Sequence, residues 1–103
     1  MCFRKKFKQH FRIHKKNGHP SLIYDEYGNE YKYIGITHAP ITHGLNNELL
    51  KVNPNRKDKR KSYARPFSTH DKKNNFKKVP LKGYKVRYRN KKIFNRIKKN
   101  YVQ

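Results

Sequence analysis

The stretch SLIYDEYGNEYKYIGIT, Ser21 to Thr37, decides the fold. Aromatic and β-branched residues flank Gly28-Asn29, and a Gly-containing pair between two such runs marks a tight hairpin turn. In the second strand Tyr31 and Tyr33 point one way and Ile34 and Ile36 the other, because side chains alternate along a strand. Such a strand is either covered on both faces or offers its tyrosines to a ligand. Pro40 ends it.

Toward the C-terminus, ITHGLNNELLKVNPN spaces Leu45 and Leu49 four apart, which predicts a short helix halted by Pro54. KSYARPFSTH then places Tyr63, Arg65 and Phe67 on one face of a strand, and Pro66 implies an edge or a bulge. YKVRYR alternates Tyr84, Val86 and Tyr88 against Lys85 and Arg87 and predicts another strand. NKKIFNRIKKNYV brings Ile93, Ile97 and Tyr101 to one side of a basic C-terminal helix. Toward the N-terminus, Phe3, Phe7 and Phe11 recur every fourth residue, predicting a basic N-terminal helix that NGHP, Asn17 to Pro20, stops. These elements describe an α+β fold, a small four-stranded and mainly antiparallel sheet with a basic helix at each end and a short helix between strands. Residues 1–16 read as a basic helix or arm and 17–103 as a single α+β domain.

At 103 residues, 33% of them hydrophobic and none Trp, the chain supports one modest core built on its eight Tyr and six Phe. Tyr31, Tyr33, Tyr84 and Tyr88 are expected to fill that core, the alternative being that they stack on unpaired bases. Net charge is +22, from 28 Lys and Arg against six Asp and Glu. Residues 1–16 carry +7, residues 17–50 carry −3 and residues 51–103 carry +18, so an acidic middle is flanked by cationic ends. So large an excess repels itself and favours a polyanion, which gains entropy as its counterions are released. Nucleic acid is the expected partner, RNA ahead of DNA, with the ribosome or an acidic protein as further partners. Arg4, Lys5, Lys8, Arg12, Arg60, Arg87, Arg89, Lys91 and Arg96 are the expected phosphate contacts. No apolar run reaches the roughly 20 residues of a membrane-spanning helix, and the N-terminus lacks a secretory apolar region. With Cys2 as the single cysteine, a cytoplasmic protein with no membrane partner is expected.

No cofactor or metal is expected. His10 and His14 have the spacing of half a zinc finger, but Cys2 alone cannot supply the two missing thiolates. Six scattered acids do not suggest a two-metal centre, and no glycine-rich phosphate loop is present. Histidine remains for chemistry on a polyanion. Three of six histidines, His38, His43 and His70, follow a threonine, and each falls near the end of an expected strand. RNA carries its own nucleophile: a base removes the 2′-OH proton, an acid protonates the departing 5′-oxygen, and a cation steadies the phosphorane. His38, His43 and His70 are the candidate acid and base, expected to converge, and Arg65 is the candidate phosphate clamp. Thr37, Thr42 and Thr69 would orient the rings or touch phosphate.

A helix leading into an antiparallel sheet, high basic charge and His, Arg and Lys available for chemistry together resemble the small ribonucleases of the RelE and barnase-like superfamily, often borne by mobile elements as toxins. The resemblance covers roughly residues 1–101 in architecture and includes no diagnostic motif. It implies catalytic roles for Arg65, Arg87 and Tyr84 or Tyr88, and the Thr-His pairs lie outside its pattern. Three functions therefore follow as expectations: an RNA-binding protein without chemistry, a metal-independent endoribonuclease, and a mobile-element accessory or anti-defence protein acting on a nucleoprotein.

Overall fold

The computed structural model describes residues 6–103. In chain order the strands are β1 (His10–Ile13), β2 (Pro20–Tyr27), β3 (Glu30–Thr37), β4 (Ile41–Thr42), β5 (Leu45–Asn46), β6 (Glu48–Leu49), β7 (Tyr63–Ala64) and β8 (Thr69–Lys72). One α-helix follows, α1 (Lys91–Lys99). The result is a small compact domain, mostly antiparallel sheet with a helix at its C-terminal end.

The Ser21 to Thr37 stretch is the hairpin its sequence predicts. Tyr27 pairs with Glu30 across a two-residue turn in which Gly28 adopts φ +58 and Asn29 keeps a negative φ. Glycine at the first turn position is what a type II′ turn requires. Around this hairpin the main sheet has six strands rather than four, ordered β1-β2-β3-β7-β6, with β8 also paired to β3.

The strand around Pro66 is interrupted as proline demands. β8 pairs with β3 from Glu30 to Tyr33, and β7 pairs with β3 at Ile36 and Thr37. Three steps along β3, Tyr33 to Ile36, therefore face five on the partner, Ala64 to Thr69. Arg65 still donates its backbone N–H to Gly35 O at 2.9 Å, the surplus chain carries Pro66 and Phe67 out of the ladder, and such bulges re-aim side chains.

Even-numbered β3 residues build the core. Ile34 and Ile36 pack with Phe11, Leu22, Leu50 and Ala64 beneath Phe94 and Ile97 of α1. Buried Asn90 anchors the start of α1 through its side chain. Its Oδ1 accepts from the N–H groups of Lys51 (2.9 Å) and Val52 (3.2 Å), and its Nδ2 donates to Val52 O at 2.7 Å.

Three expected elements differ. The N-terminal helix is strand β1 in its described part: Phe11 faces the core while His10 and Arg12 face the other way, and β2 supplies a ladder no isolated basic helix has. β1 thus belongs to the sheet, although it falls within the 1–16 segment read as an arm. The short helix is replaced by the β4–β5 hairpin and β6, with Leu45 and Leu49 exposed, so their four-residue spacing marks no core stripe. YKVRYR forms no strand. Tyr84 and Val86 do pack on the core, but their only sheet-like contact is a single bridge from Tyr84 to Asn55. Alternation there reports one-sided burial without a neighbouring strand to complete a ladder. Tyr31, Tyr33 and Tyr84 are partly buried, whereas Tyr88 is 84% exposed.

Candidate functional site

Odd-numbered β3 residues face away from α1, and here the sheet is half covered. Phe76 lies edge-on over Tyr31, Tyr33 and His14, with ring centroids 5.5, 5.1 and 4.8 Å apart. His14 is 3% exposed. The Lys16 N–H donates to its Nδ1 at 3.2 Å, so Nε2 carries the hydrogen and donates to Asp71 Oδ2 at 2.8 Å. Burial pushes the Asp71 carboxyl up, but hydrogen bonds from His14, Asn75 and the Lys72 N–H outweigh it and hold the group below its ordinary value. Burial also raises the Tyr33 phenol, and the Asp71 charge adds to the effect.

Beyond this lid the covering stops, and a cavity of about 250 Å³ opens over Tyr33, Gly35 and Thr37. Thr42 and His43 from the β4–β5 hairpin, Arg65 and Phe67 from the bulge, Thr69 of β8, and Asn17 and His19 from the β1–β2 turn form its walls. Arg65 lies close on the floor: a Cβ at Gly35 would meet its Cγ at 3.0 Å, so glycine permits the approach. Its Nη1 donates to Asn47 Oδ1 at 2.6 Å and to Thr42 O at 3.4 Å, and the guanidinium carbon stands 5.1 Å from the Phe67 ring centroid. Asn47 is fixed in turn, its Nδ2 donating to Ala39 O (2.9 Å) and Thr42 Oγ1 (2.8 Å). Arg65 is therefore held in place by contacts within the protein.

His43 is the one non-glycine residue with positive φ among the described residues, at +50, followed by Gly44 at +76. Two positive φ values in a two-residue hairpin are the type I′ pattern, which Asn-Gly or Gly-Gly satisfies with less strain. Histidine here stores conformational strain of about 1–2 kcal/mol and puts an imidazole on the cavity wall, and strain of this kind concentrates at functional sites. The backbone of His19 is held on the opposite strand connection, its main-chain N–H donating to Asn17 Oδ1 at 2.8 Å.

The three expected histidines do not converge. Only His43 shares the cavity with Arg65. His38 Nδ1 donates to Lys61 O at 2.9 Å, with Nε2 3.5 Å from Asp58 Oδ2. His70 pairs with Glu30 and stacks on Tyr101 in a separate hollow. That divergence follows from strand alternation: Thr69 and His70 are neighbours on β8, so when Thr69 faces the cavity His70 faces the other side. All three threonines, Thr37, Thr42 and Thr69, do line the one cavity. The second imidazole comes instead from His19, whose only sequence signal is its place in the NGHP turn entering β2.

The expected phosphate contacts are dispersed. Arg12 is spent on structure, donating to His10 Nε2 at 2.8 Å and to the Lys77 and Lys78 carbonyls, with its guanidinium over Tyr31. Arg60 pairs with Asp58 through two nitrogens, and this holds the Asp58 carboxyl well below the usual carboxylate range. Arg96 pairs with Glu48, and Lys91 lies over the Tyr88 ring. Lys8 and Arg89 are exposed, Arg87 lines a basic groove, and Arg4 and Lys5 lie outside the described residues. No group of three His, Cys, Asp or Glu side chains gathers for a metal among the described residues. Nor is any described helix long and apolar enough to cross a membrane. Compared with known proteins, the chain matches no family model, no curated protein and no solved structure.

Proposed function

We propose that this protein binds RNA and cleaves it in the cavity between His19, His43 and Arg65. The observation that carries the proposal is the shared wall: two imidazoles and a hydrogen-bonded guanidinium line one open cavity with three threonine hydroxyls, in a chain of net charge +22. Its volume of about 250 Å³ lies below the roughly 300 Å³ at which ligand pockets begin. It suits one residue of a polymer passing through better than an enclosed small molecule.

The chemistry needs only these side chains and the substrate. One neutral imidazole takes the 2′-OH proton as the 2′-oxygen attacks phosphorus. The other, protonated, gives its proton to the 5′-oxygen as the P–O5′ bond breaks, leaving a 2′,3′-cyclic phosphate and a 5′-OH. Arg65 neutralises charge on the non-bridging oxygens, favouring the phosphorane over the diester. Tyr33 and Phe67 offer aromatic surface for the adjoining base. The cavity, and not the resemblance to small ribonucleases, carries this reading.

Incubating the protein with single-stranded RNA in EDTA tests it. Cleavage with 2′,3′-cyclic phosphate ends, abolished by a single 2′-deoxy substitution at the cut site, is the expected result. Binding with no cleavage at any RNA tried leaves an RNA-binding protein without chemistry.

A further inference from the structure

Beside the cavity a second concavity of about 440 Å³ is lined by Lys51, Arg56, Lys59, Arg60, Lys61 and Arg87. Its one carboxylate, Asp58, is already bound by Arg60 and faces His38 at 3.5 Å, so the groove keeps a large positive excess. The loop between β6 and β7, which bears five of these cations, is not a loose tail. Asn53 Oδ1 accepts the Asn55 N–H at 2.9 Å, Asn55 Oδ1 accepts the Lys57 N–H at 3.1 Å, and Asp58 Oδ1 accepts the Arg60 N–H at 3.0 Å. Like charges are thus gathered on a shaped backbone, an arrangement that costs self-repulsion until an anion enters.

The groove and the cavity are neighbours, separated by a hollow of only about 20 Å³. A narrow hollow between them shares His19 and Thr37 with the cavity and Asn53 and Ser62 with the groove, and His38 lies along it. Ser62 is 3% exposed, and its Oγ has no hydrogen-bond partner among the described residues. A buried hydroxyl left unpaired costs about 1–3 kcal/mol, so an unspent polar group sits at the joint of the two concavities.

We infer that cavity and groove form one track for a single RNA strand that crosses the surface over the hollow, with the groove holding the phosphates several nucleotides from the bond in the cavity. This rests on the RNA reading of the cavity and adds to it a distal phosphate site that sets affinity for long strands. Binding energy gathered there acts equally on ground and transition states, so the groove governs KM and leaves the chemical step alone.

The test uses the full chain and 2′-O-methyl oligonucleotides, which cannot be cleaved, so it is independent of catalysis. Probes of two and about twelve nucleotides fall below and within the roughly 4–16 nucleotides that single-strand sites occupy. Arg56→Ala/Lys59→Ala/Arg87→Ala should weaken the long probe about tenfold or more at low salt and make its log K against log salt slope shallower by about two, three lost contacts at roughly 0.7 each. The short probe should be unaffected. Lys77→Ala/Lys78→Ala/Lys82→Ala removes the same charge from residues that line none of the three concavities and should change the long probe much less. Equal losses from the two triple variants, equal losses for long and short probes, or no loss at all each overturn the track. Failure of cleavage with this pattern intact would instead count against the chemistry alone.

Discussion

On the even-numbered face of β3, Ile34 and Ile36 lie under α1, fully covered. On the odd-numbered face, Tyr31 and Tyr33 lie under Phe76, but Gly35 and Thr37 have no such lid and floor a cavity instead. One strand thus serves two ends. Beneath α1 the closed face is apolar at Ile34 and Ile36 and holds the fold, while its far end carries Glu30, Lys32 and His70. The half-open face carries His14, Asp71, His43 and Arg65, each fixed by hydrogen bonds, aromatic contact or turn geometry rather than by hydrophobic burial alone, and His19, whose backbone is fixed by Asn17. Strand alternation thus puts the main apolar core and the cavity on opposite sides of β3.

The largest effect should come from the closed face. Phe94→Ala removes the main side chain α1 lays on the sheet and should cost about 3–5 kcal/mol in denaturant unfolding, enough to unfold much of a domain this small. A loss below about 1 kcal/mol would mean that α1 is not the lid of the core.

Asp71→Ala acts on the other face and should cost less, about 1–3 kcal/mol, by leaving the His14 Nε2–H and the Asn75 amide without their acceptor. The pH dependence has a definite sign. Asp71 titrates below its ordinary value of 3.8 in the folded chain, so its stabilisation is complete above that value and is lost as pH falls through the lower folded one. Between pH 5 and pH 2 the parent protein should lose stability more steeply than Asp71→Ala. Parallel curves would remove Asp71 from the account of that face.

His43→Asn should have the smallest effect on the fold, and in the opposite direction. Asparagine tolerates positive φ better than histidine, so the hairpin should gain up to about 1 kcal/mol while cleavage falls. A variant both more stable and fully active would mean that the strained imidazole has no role in the cavity.

Much of this division is legible in the sequence, and the gaps have physical causes. Tyr31 and Tyr33 against Ile34 and Ile36 give the two faces directly, and Pro66 gives the bulge that carries Arg65 and Phe67 into the cavity. The Thr-His repeats identify the right threonines and mislead on their histidines, because adjacent strand residues cannot share a face. Only His43 escapes, since it sits in a turn rather than a strand. His19 is illegible because it enters the cavity through the pairing of β1 with β2, and Phe7 and Phe11 at helical spacing hide that strand. Likewise YKVRYR carries a true burial pattern, but no local signal says whether a partner strand exists.

The most direct measurement is the single-turnover rate of RNA cleavage by His19→Ala and His43→Ala beside the parent, each confirmed folded and each saturated with RNA. Acid and base act together in one step, so each variant should lose about 10²-fold or more while binding a 2′-O-methyl strand as the parent does, and His70→Ala, on the other face, should match the parent. Parent-like rates in both His19→Ala and His43→Ala, or a loss in His70→Ala as large as theirs, would contradict the assignment of the chemistry to the half-open face.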